Sequence, residues 1–389
     1  MGPDVVLVTP LVDFGSRQLD YLKAARHLGI RNGLCVASWD NLTNKGIIQL
    51  EPDRVLVWNE DQRKEAVELH GIPEEKVVIT GAQSFDKWFE AKPSIDRVAF
   101  CRSHGFDPAR PTVLYVCSSA FIAEKEADFV LRWLGRIRAS EHFVLRSANV
   151  LIRPHPLNAG QWSEVDLSSW ERVTVYPRGG AYVTTEKARA EYYDAIYHSD
   201  AVVGINTSAL IEAGIIGRIS HTILTEEFAD TQEGTLHFDY LVRDGYLQVA
   251  RDFDEHERQL AETLTGGVDA GARVRAFVRR FVRPLGMDRP CTPIVADAIE
   301  ALACQRGEGQ RREGVGIRLG RLVLLPLALS MFGGFLAYRA VRGAWLFVTR
   351  LLGRQKSDEH LRKKLARLPA GSPLEKKIGR DRANVTCRR

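Results

Sequence analysis

Apolar residues fall along the chain in short blocks separated by polar turns. Residues 5–8, 33–37, 55–58 and 77–80 are four such blocks, each of the length and Val/Leu content of a strand buried on both faces. Between them, residues 16–28 place Leu19, Leu22, Ala25 and Leu28 at helical spacing, and residues 61–70 predict another helix, stopped by Gly71-Ile72-Pro73. The alternation of strand and helix predicts a parallel sheet with helices on its faces. Residues 93–110, with prolines and a cluster of charges, read as a link, so 1–92 form a first Rossmann-like domain. That domain shows only four strands where about five to seven are usual, and it reads as incomplete on its N-terminal side.

The rhythm resumes at 111. Strands are predicted at 112–117, 150–153, 172–175, 201–204 and 219–224, and helices at 124–138, 188–198 and 208–216. Further helices at 255–264, 270–282 and 294–303 are expected to close this second domain, which spans 111–304. A polar, Gly- and Arg-rich linker follows at 305–321. Residues 322–338 are apolar except for Pro326 and Ser330, and 344–348 are apolar again, so 322–353 read as a membrane-associated helix region, a short span or an in-plane helix. The alternative is a buried pair of structural helices. Residues 354–389 form a basic tail.

Charge sharpens this division. The net charge of +5 combines +14 in residues 305–389, from 20 Lys+Arg and 6 Asp+Glu, with −9 in the first 304. A basic tail beside an apolar stretch points to an anionic membrane surface and not to nucleic acid. The six cysteines (Cys35, Cys101, Cys117, Cys291, Cys304 and Cys387) are scattered, without CxxC pairs, which argues against a disulfide framework or a zinc site. There is no basic-then-apolar leader after Met1.

The chemistry concentrates in a few loops. Residues 199–213 read as strand, tight polar loop and helix, with Asn206, Thr207 and Ser208 where the helix starts. Any of the three can cap it, and the free amides and helix dipole there suit a diphosphate. Glu212, one turn on, can accept hydrogen bonds from both hydroxyls of a ribose. An ordinary capped helix would give the same pattern. Arg153-Pro154-His155-Pro156 follows a strand at its carboxyl end, and the prolines fix the turn. His155 there can donate to a phosphate oxygen or act as a general acid. In the polar loop 38–46, Asp40 is a candidate general base on the acceptor side, with Asp13 as its rival. The loop 231–238 offers Gln232 and Thr235 to a transferred group. Asp86, after the strand that ends at Gly81, is either a cleft residue or a helix cap or ion-pair partner. No Walker loop, GxGxxG or metal triad is present, and Asp252-Phe253-Asp254 sits at a surface helix start.

These motifs carry a resemblance. Residues 199–228 look like the donor-binding stretch of the UDP-GlcNAc 2-epimerase and GT-B glycosyltransferase superfamily: polar loop, helix ending Glu212-Ala213, Gly217, a strand, then Thr225-Glu226. The loop here is Asn206-Thr207-Ser208 in place of the usual Ser-Gly-Gly. Arg153-Pro154-His155-Pro156 resembles the motif of CDP-glycerol glycerophosphotransferases and related capsule transferases. Residues 70–86 are similar to the last strand of the first domain in these families, with Ser84-Phe85 where Pro-Arg is common. The resemblance covers about residues 30–285. It implies an α/β fold of two Rossmann-like domains (GT-B) and a metal-independent glycosyltransferase or glycerophosphotransferase without a cofactor. Its donor would be a nucleotide-diphosphate sugar or CDP-glycerol, held by Arg153, Asn206, Thr207, Ser208, Glu212, Gln232 and Thr235, with His155 and Asp40 catalytic. Its acceptor would be a polysaccharide or lipid-linked molecule of the cell envelope, met at the cytoplasmic face of the bacterial inner membrane. A 2-epimerase-like isomerase and a non-catalytic binding subunit are the alternatives.

Overall fold

A computed structural model describes residues 3–12, 16–243, 245–267, 271–305, 324, 330–334 and 338. The chain divides into two units, 1–311 and 312–389. In the second unit, residues 324, 330–334 and 338 are helical, with Met331 and Phe332 exposed. The rest of the expected membrane-associated region, the linker from residue 306 and the basic tail lie outside the described residues. Among the described residues no helix is long and apolar enough to cross a membrane.

The first unit opens with β1 (Val5–Val8), α1 (Gln18–Leu28), β2 (Arg31–Cys35), α2 (Asn41–Asn44), β3 (Arg54–Val57), α3 (Glu60–Glu68) and β4 (Val77–Ile79). Their strands form one sheet, order β1-β2-β3-β4, with every pair parallel. Local chemistry sets the boundaries: Asn59 caps α3 by accepting from the Gln62 amide. α4 (Asp86–Glu90) follows β4, and the stretch 93–110 expected as a plain link holds α5 (Arg97–His104). Asp96 caps α5, whose Phe100 and Cys101 are buried in the core. That apolar pair behind a capping Asp was the overlooked sign of a helix.

The second sheet is built from β5 (Thr112–Val116), α6 (Glu126–Ala139), α7 (Phe143–Ser147), β6 (Asn149–Arg153), β7 (Val173–Val175), α8 (Glu186–Tyr197), β8 (Ala201–Gly204), α9 (Ala209–Ile216), β9 (Ser220–Ile223), α10 (Leu236–Val242) and β10 (Gln248–Ala250). The order is β10-β9-β8-β5-β6-β7, all parallel. The sequence reading missed β10, three residues beginning with a polar Gln248, too short to show a periodicity. From β5 the chain winds outward through β6 to β7, then returns to lay β8 on the other side of β5. Such a reversal opens a crevice beyond the carboxyl ends of the two central strands, where doubly wound sheets bind ligands.

Three helices complete the unit. α11 (Phe253–Leu264) packs on the second sheet, capped by Asp252. α12 (Gly271–Phe281) buries Val274, Phe277, Val278 and Phe281 and lies against α9. α13 (Cys291–Cys304) packs on β1, β2 and β3. Expected to close the second domain, this last helix returns to the first sheet instead. Gly33 of β2 leaves room for it, since a Cβ there would stand 3.2 Å from the Leu302 side chain.

The chain therefore crosses between the halves twice, and the crossings touch. Ala82 N–H donates to Val282 O (2.9 Å), and Asn59 Nδ2 to Phe281 O (2.7 Å). Asp86 accepts from Arg283 Nη2 (2.9 Å), from the Cys291 and Thr292 amides, and from Thr292 Oγ1 (2.7 Å). Of the two roles open for Asp86, helix cap and ion-pair partner hold, and these bonds keep its pKa low despite burial. Gly81 has φ +79°, and a Cβ on it would fall 2.3 Å from Cys291 Sγ.

Candidate functional site

The crevice at the reversal holds a pocket of about 210 Å³. Arg153, His155, Thr207, Ser208 and Glu212 line it, with Tyr192 and the loop residues Ala181, Tyr182 and Val183. Arg153 ends β6, and its carbonyl accepts from the Cys117 amide at the end of β5 (3.0 Å). Its side chain is 7% exposed, and neither Nη1 nor Nη2 has a hydrogen-bond partner. The guanidinium lies 4.6 Å over the Tyr192 ring, a cation–π contact. Burial lowers its pKa from the usual arginine value. Buried charges ordinarily keep a hydrogen-bonding partner, so an unpartnered one lining a cavity has donors to offer an anion.

His155 is half-buried and its Nδ1 accepts from the Leu157 amide (3.2 Å), starting the 3-10 turn Pro156–Trp162. That bond needs a bare Nδ1, which leaves Nε2 carrying the proton of the neutral ring. Burial lowers its pKa, which favours the same form. His155 is thus arranged as a neutral donor; acting as a general acid would cost it this cap.

α9 begins at the pocket. Ser208 occupies its N-cap position but makes no side-chain capping bond, and the Ala209 amide leans on Thr207 Oγ1 at 3.4 Å. The Leu210 amide is taken up by Thr207 O and those of Ile211 and Glu212 by Ser208 O, so the polar groups offered at this end of the pocket are those of Thr207 and Ser208, which line it. Glu212, a turn further, accepts from Tyr192 Oη. Burial raises its pKa to about 7, while the Tyr192 hydrogen bond and the Arg153 charge pull it down. Glu212 and Val183 also line an adjoining recess of about 390 Å³, with Lys87, Trp88, Arg189 and Tyr193.

Other residues singled out from sequence lie elsewhere. Asn206 is buried and turned inward, its Nδ2 donating to Thr231 O (2.6 Å). Gln232 is fully buried: its Nε2 is within reach of Ile205 O, Thr222 Oγ1 and Ile223 O, and its Oε1 accepts from the Thr225 amide. Its amide ties the ends of β8 and β9 together and has nothing left for a ligand. Thr235 bonds back to Gln232 O (2.9 Å). Neither Gln232 nor Thr235 lines the pocket. Asp40, ahead of α2, accepts from Ser38 Oγ (2.6 Å) and pairs with Lys45 at 3.8 Å, also outside the pocket. Asp13 falls outside the described residues. Among those described, no group of three His, Cys, Asp or Glu is placed to hold a metal.

Sequence reasoning missed Tyr192 and Gly180. Tyr192 meets Glu212 across two helices, which no spacing reveals. Gly180 has φ +69°, and a Cβ would lie 2.7 Å from Pro156 Cα, so only glycine lets the loop after β7 press onto the Pro154–His155 turn.

Two parallel sheets of four and six strands, joined by paired crossings with a pocket at the reversal of the second, define a GT-B-like α/β fold. Solved structures resemble it to differing degrees. A candidate UDP-N-acetylglucosamine 2-epimerase from Listeria monocytogenes matches with TM-score 0.51 and 12% identity, over 79% of this chain and 77% of that one. UDP-GlcNAc 2-epimerase of Methanocaldococcus jannaschii, in complex with UDP-GlcNAc and UDP, gives TM-score 0.49 and 13% identity over 77% and 76%. A variant of the wall teichoic acid polymerase TagF soaked with CDPG gives 0.38 and 14% over 64% of this chain; the chain spans 58% of that structure's length. No protein-family model matches the chain, and no curated protein matches it in sequence.

Proposed function

We propose that the Arg153 pocket binds the diphosphate of a nucleotide-linked donor, and that the chain transfers the sugar or glycerol phosphate it carries to a hydroxyl of a polysaccharide or lipid-linked acceptor. The observation that carries this reading is the buried Arg153 guanidinium, both of whose Nη groups lack partners, in a pocket shared with the start of α9. Charge growing on the departing nucleoside diphosphate meets Arg153, the Thr207–Ser208 loop and the His155 Nε2–H, donors already fixed in place. Glu212 accepts from the ribose hydroxyls, and the recess beside Trp88 and Tyr193 takes the base. The acceptor hydroxyl is deprotonated from the other half, by Asp40. The motif likeness to CDP-glycerol transferases supports a transferase over an isomerase.

Titration of the full chain with UDP, CDP and GDP tests the donor site. One nucleotide should bind, and Arg153→Met should weaken it by at least about thirtyfold, the cost of removing one partner of a buried charged pair. Failure of all three to bind folded protein would sink the reading. A nucleotide sugar recovered with altered stereochemistry at C2, in place of free nucleoside diphosphate, would favour the isomerase. The reading also puts the enzyme at the cytoplasmic face of the inner membrane, supported by the +14 charge of residues 305–389. Salt-sensitive sedimentation with phosphatidylglycerol vesicles, and none with phosphatidylcholine, is the expected behaviour; equal partitioning to both would remove the electrostatic attachment.

A further inference from the structure

One group of buried polar side chains lies outside both recesses and joins the two halves. His237, at the start of α10, is 2% exposed. Its Nε2 is 3.3 Å from Asn206 Nδ2, and its Nδ1 is 3.4 Å from Thr43 Oγ1 on α2 of the first sheet. The Trp39 ring meets the imidazole edge-on at 4.7 Å. Thr43 Oγ1 in turn lies 3.3 Å from Asp40 O.

The direction of every proton in this group follows from donor and acceptor chemistry. Asn206 also contacts Thr231 O at 2.6 Å, and a carbonyl oxygen there can only accept. Flipping the Asn206 amide would set oxygen against oxygen, so the NH₂ faces both Thr231 O and His237. His237 Nε2 must therefore accept. The neutral ring then carries its proton on Nδ1 and donates it to Thr43 Oγ1, whose own proton goes to Asp40 O. The result is a one-way chain, Asn206 to His237 to Thr43 to Asp40. A protonated ring would oppose N–H to N–H at Asn206. Burial lowers the His237 pKa; of the charges that act on it, Asp40 pulls the pKa up and Lys45 pushes it down.

Both ends of the chain matter to the reaction. Asn206 immediately precedes Thr207 and Ser208 at the pocket, and the chain ends on the main-chain carbonyl of Asp40, so it fixes the loop that carries the proposed acceptor-side carboxylate. We infer that His237 is a positioning residue, which carries the seating of the phosphate-binding loop in one half to the Asp40 loop in the other through a neutral, Nδ1-protonated imidazole. Bonds of 3.3–3.4 Å are individually weak, and what they supply is direction and register more than stability. The inference rests on the donor-site reading for its purpose but not for its geometry.

Nitrogen-15 NMR of the histidine-labelled full chain tests the geometry without any ligand. The His237 signals are those lost in His237→Phe, which keeps a ring against Trp39 and removes both nitrogens. They should show the Nδ1–H tautomer and no protonation between pH 7.5 and 6. An Nε2–H tautomer, or titration at the ordinary value near 6.5, overturns the inference. Coupling is tested with the nucleotide that binds among UDP, CDP and GDP. Thr43→Val lines neither recess, yet it should weaken that nucleotide about three- to tenfold, and have no effect in the His237→Phe background. An unchanged affinity, or the same loss in both backgrounds, refutes the coupling. Should no nucleotide bind, the donor reading fails while the tautomer still decides the geometry.

Discussion

Arg153 keeps a charge where desolvation is costly and no carboxylate balances it directly. The face of Tyr192 offsets about 0.5–2 kcal/mol of that cost, and the remainder is available to whichever anion enters. Glu212 shows the complementary behaviour. A folded-state pKa of about 7 leaves it half-protonated at neutral pH, whereas the proposed contact with two ribose hydroxyls requires the carboxylate. Nucleotide affinity should therefore rise between pH 6 and 8 as Glu212 ionises, and Glu212→Gln should weaken binding and flatten that rise. An identical pH slope in the variant would assign the dependence to the nucleotide's own phosphate. Gln232 is a caution at this scale: a polar residue in a polar loop, read from sequence as a ligand contact, is spent on holding strands.

Elements explain why the second half was easier to read than the first. Continuous apolar blocks such as 112–117 and 201–204 announce buried parallel strands, and the helix after β8 follows from the polar run Asn206-Thr207-Ser208 ahead of an apolar stretch. Arg153, His155, Thr207, Ser208 and Glu212 were legible for the same reason, since each sits at a strand end or a first helical turn. Contacts between distant elements were not. The placement of α13 depends on Gly33 and on the Asp86 clamp, neither of which has a local signature. Asp86→Ala should cost about 3–5 kcal/mol, because it strands the buried Arg283 and unties two first-turn amides of α13. A denaturation midpoint unchanged from the parent would contradict the clamp. Gly81→Ala should destabilise as well, by strain at φ +79° and by collision with Cys291.

Over the whole molecule, buried titratable groups set the pH range of stability. His221 and His256 are fully buried and held neutral; His221 has a pKa near about 3 against 6.5 when unfolded. Stability is therefore lost as pH falls below about 6.5. Glu65 and Glu126 behave oppositely. Burial raises each to about 8 from 4.5, so their contribution falls as pH rises from 4.5 through 8. Each group can tilt the curve by at most about 1.4 kcal/mol per pH unit. Stability should peak in the mildly acidic range, and Glu126→Gln should lessen the decline above pH 6, as read from urea midpoints. A decline as steep as in the parent would exonerate Glu126.

The paired crossings have a mechanical meaning of their own. A single strand of chain between two bodies acts as a ball joint and lets them swing, slide and rotate about it. Two stretches lying side by side, pinned to each other by Asp86 and by the Ala82–Val282 bond, remove those freedoms as a splint does. Twisting and sliding would shear those pins, and swinging apart would break the Asp61 pairs with Arg243 and Arg280 and the Tyr240–Glu65 bond, so the two sheets are held as one body.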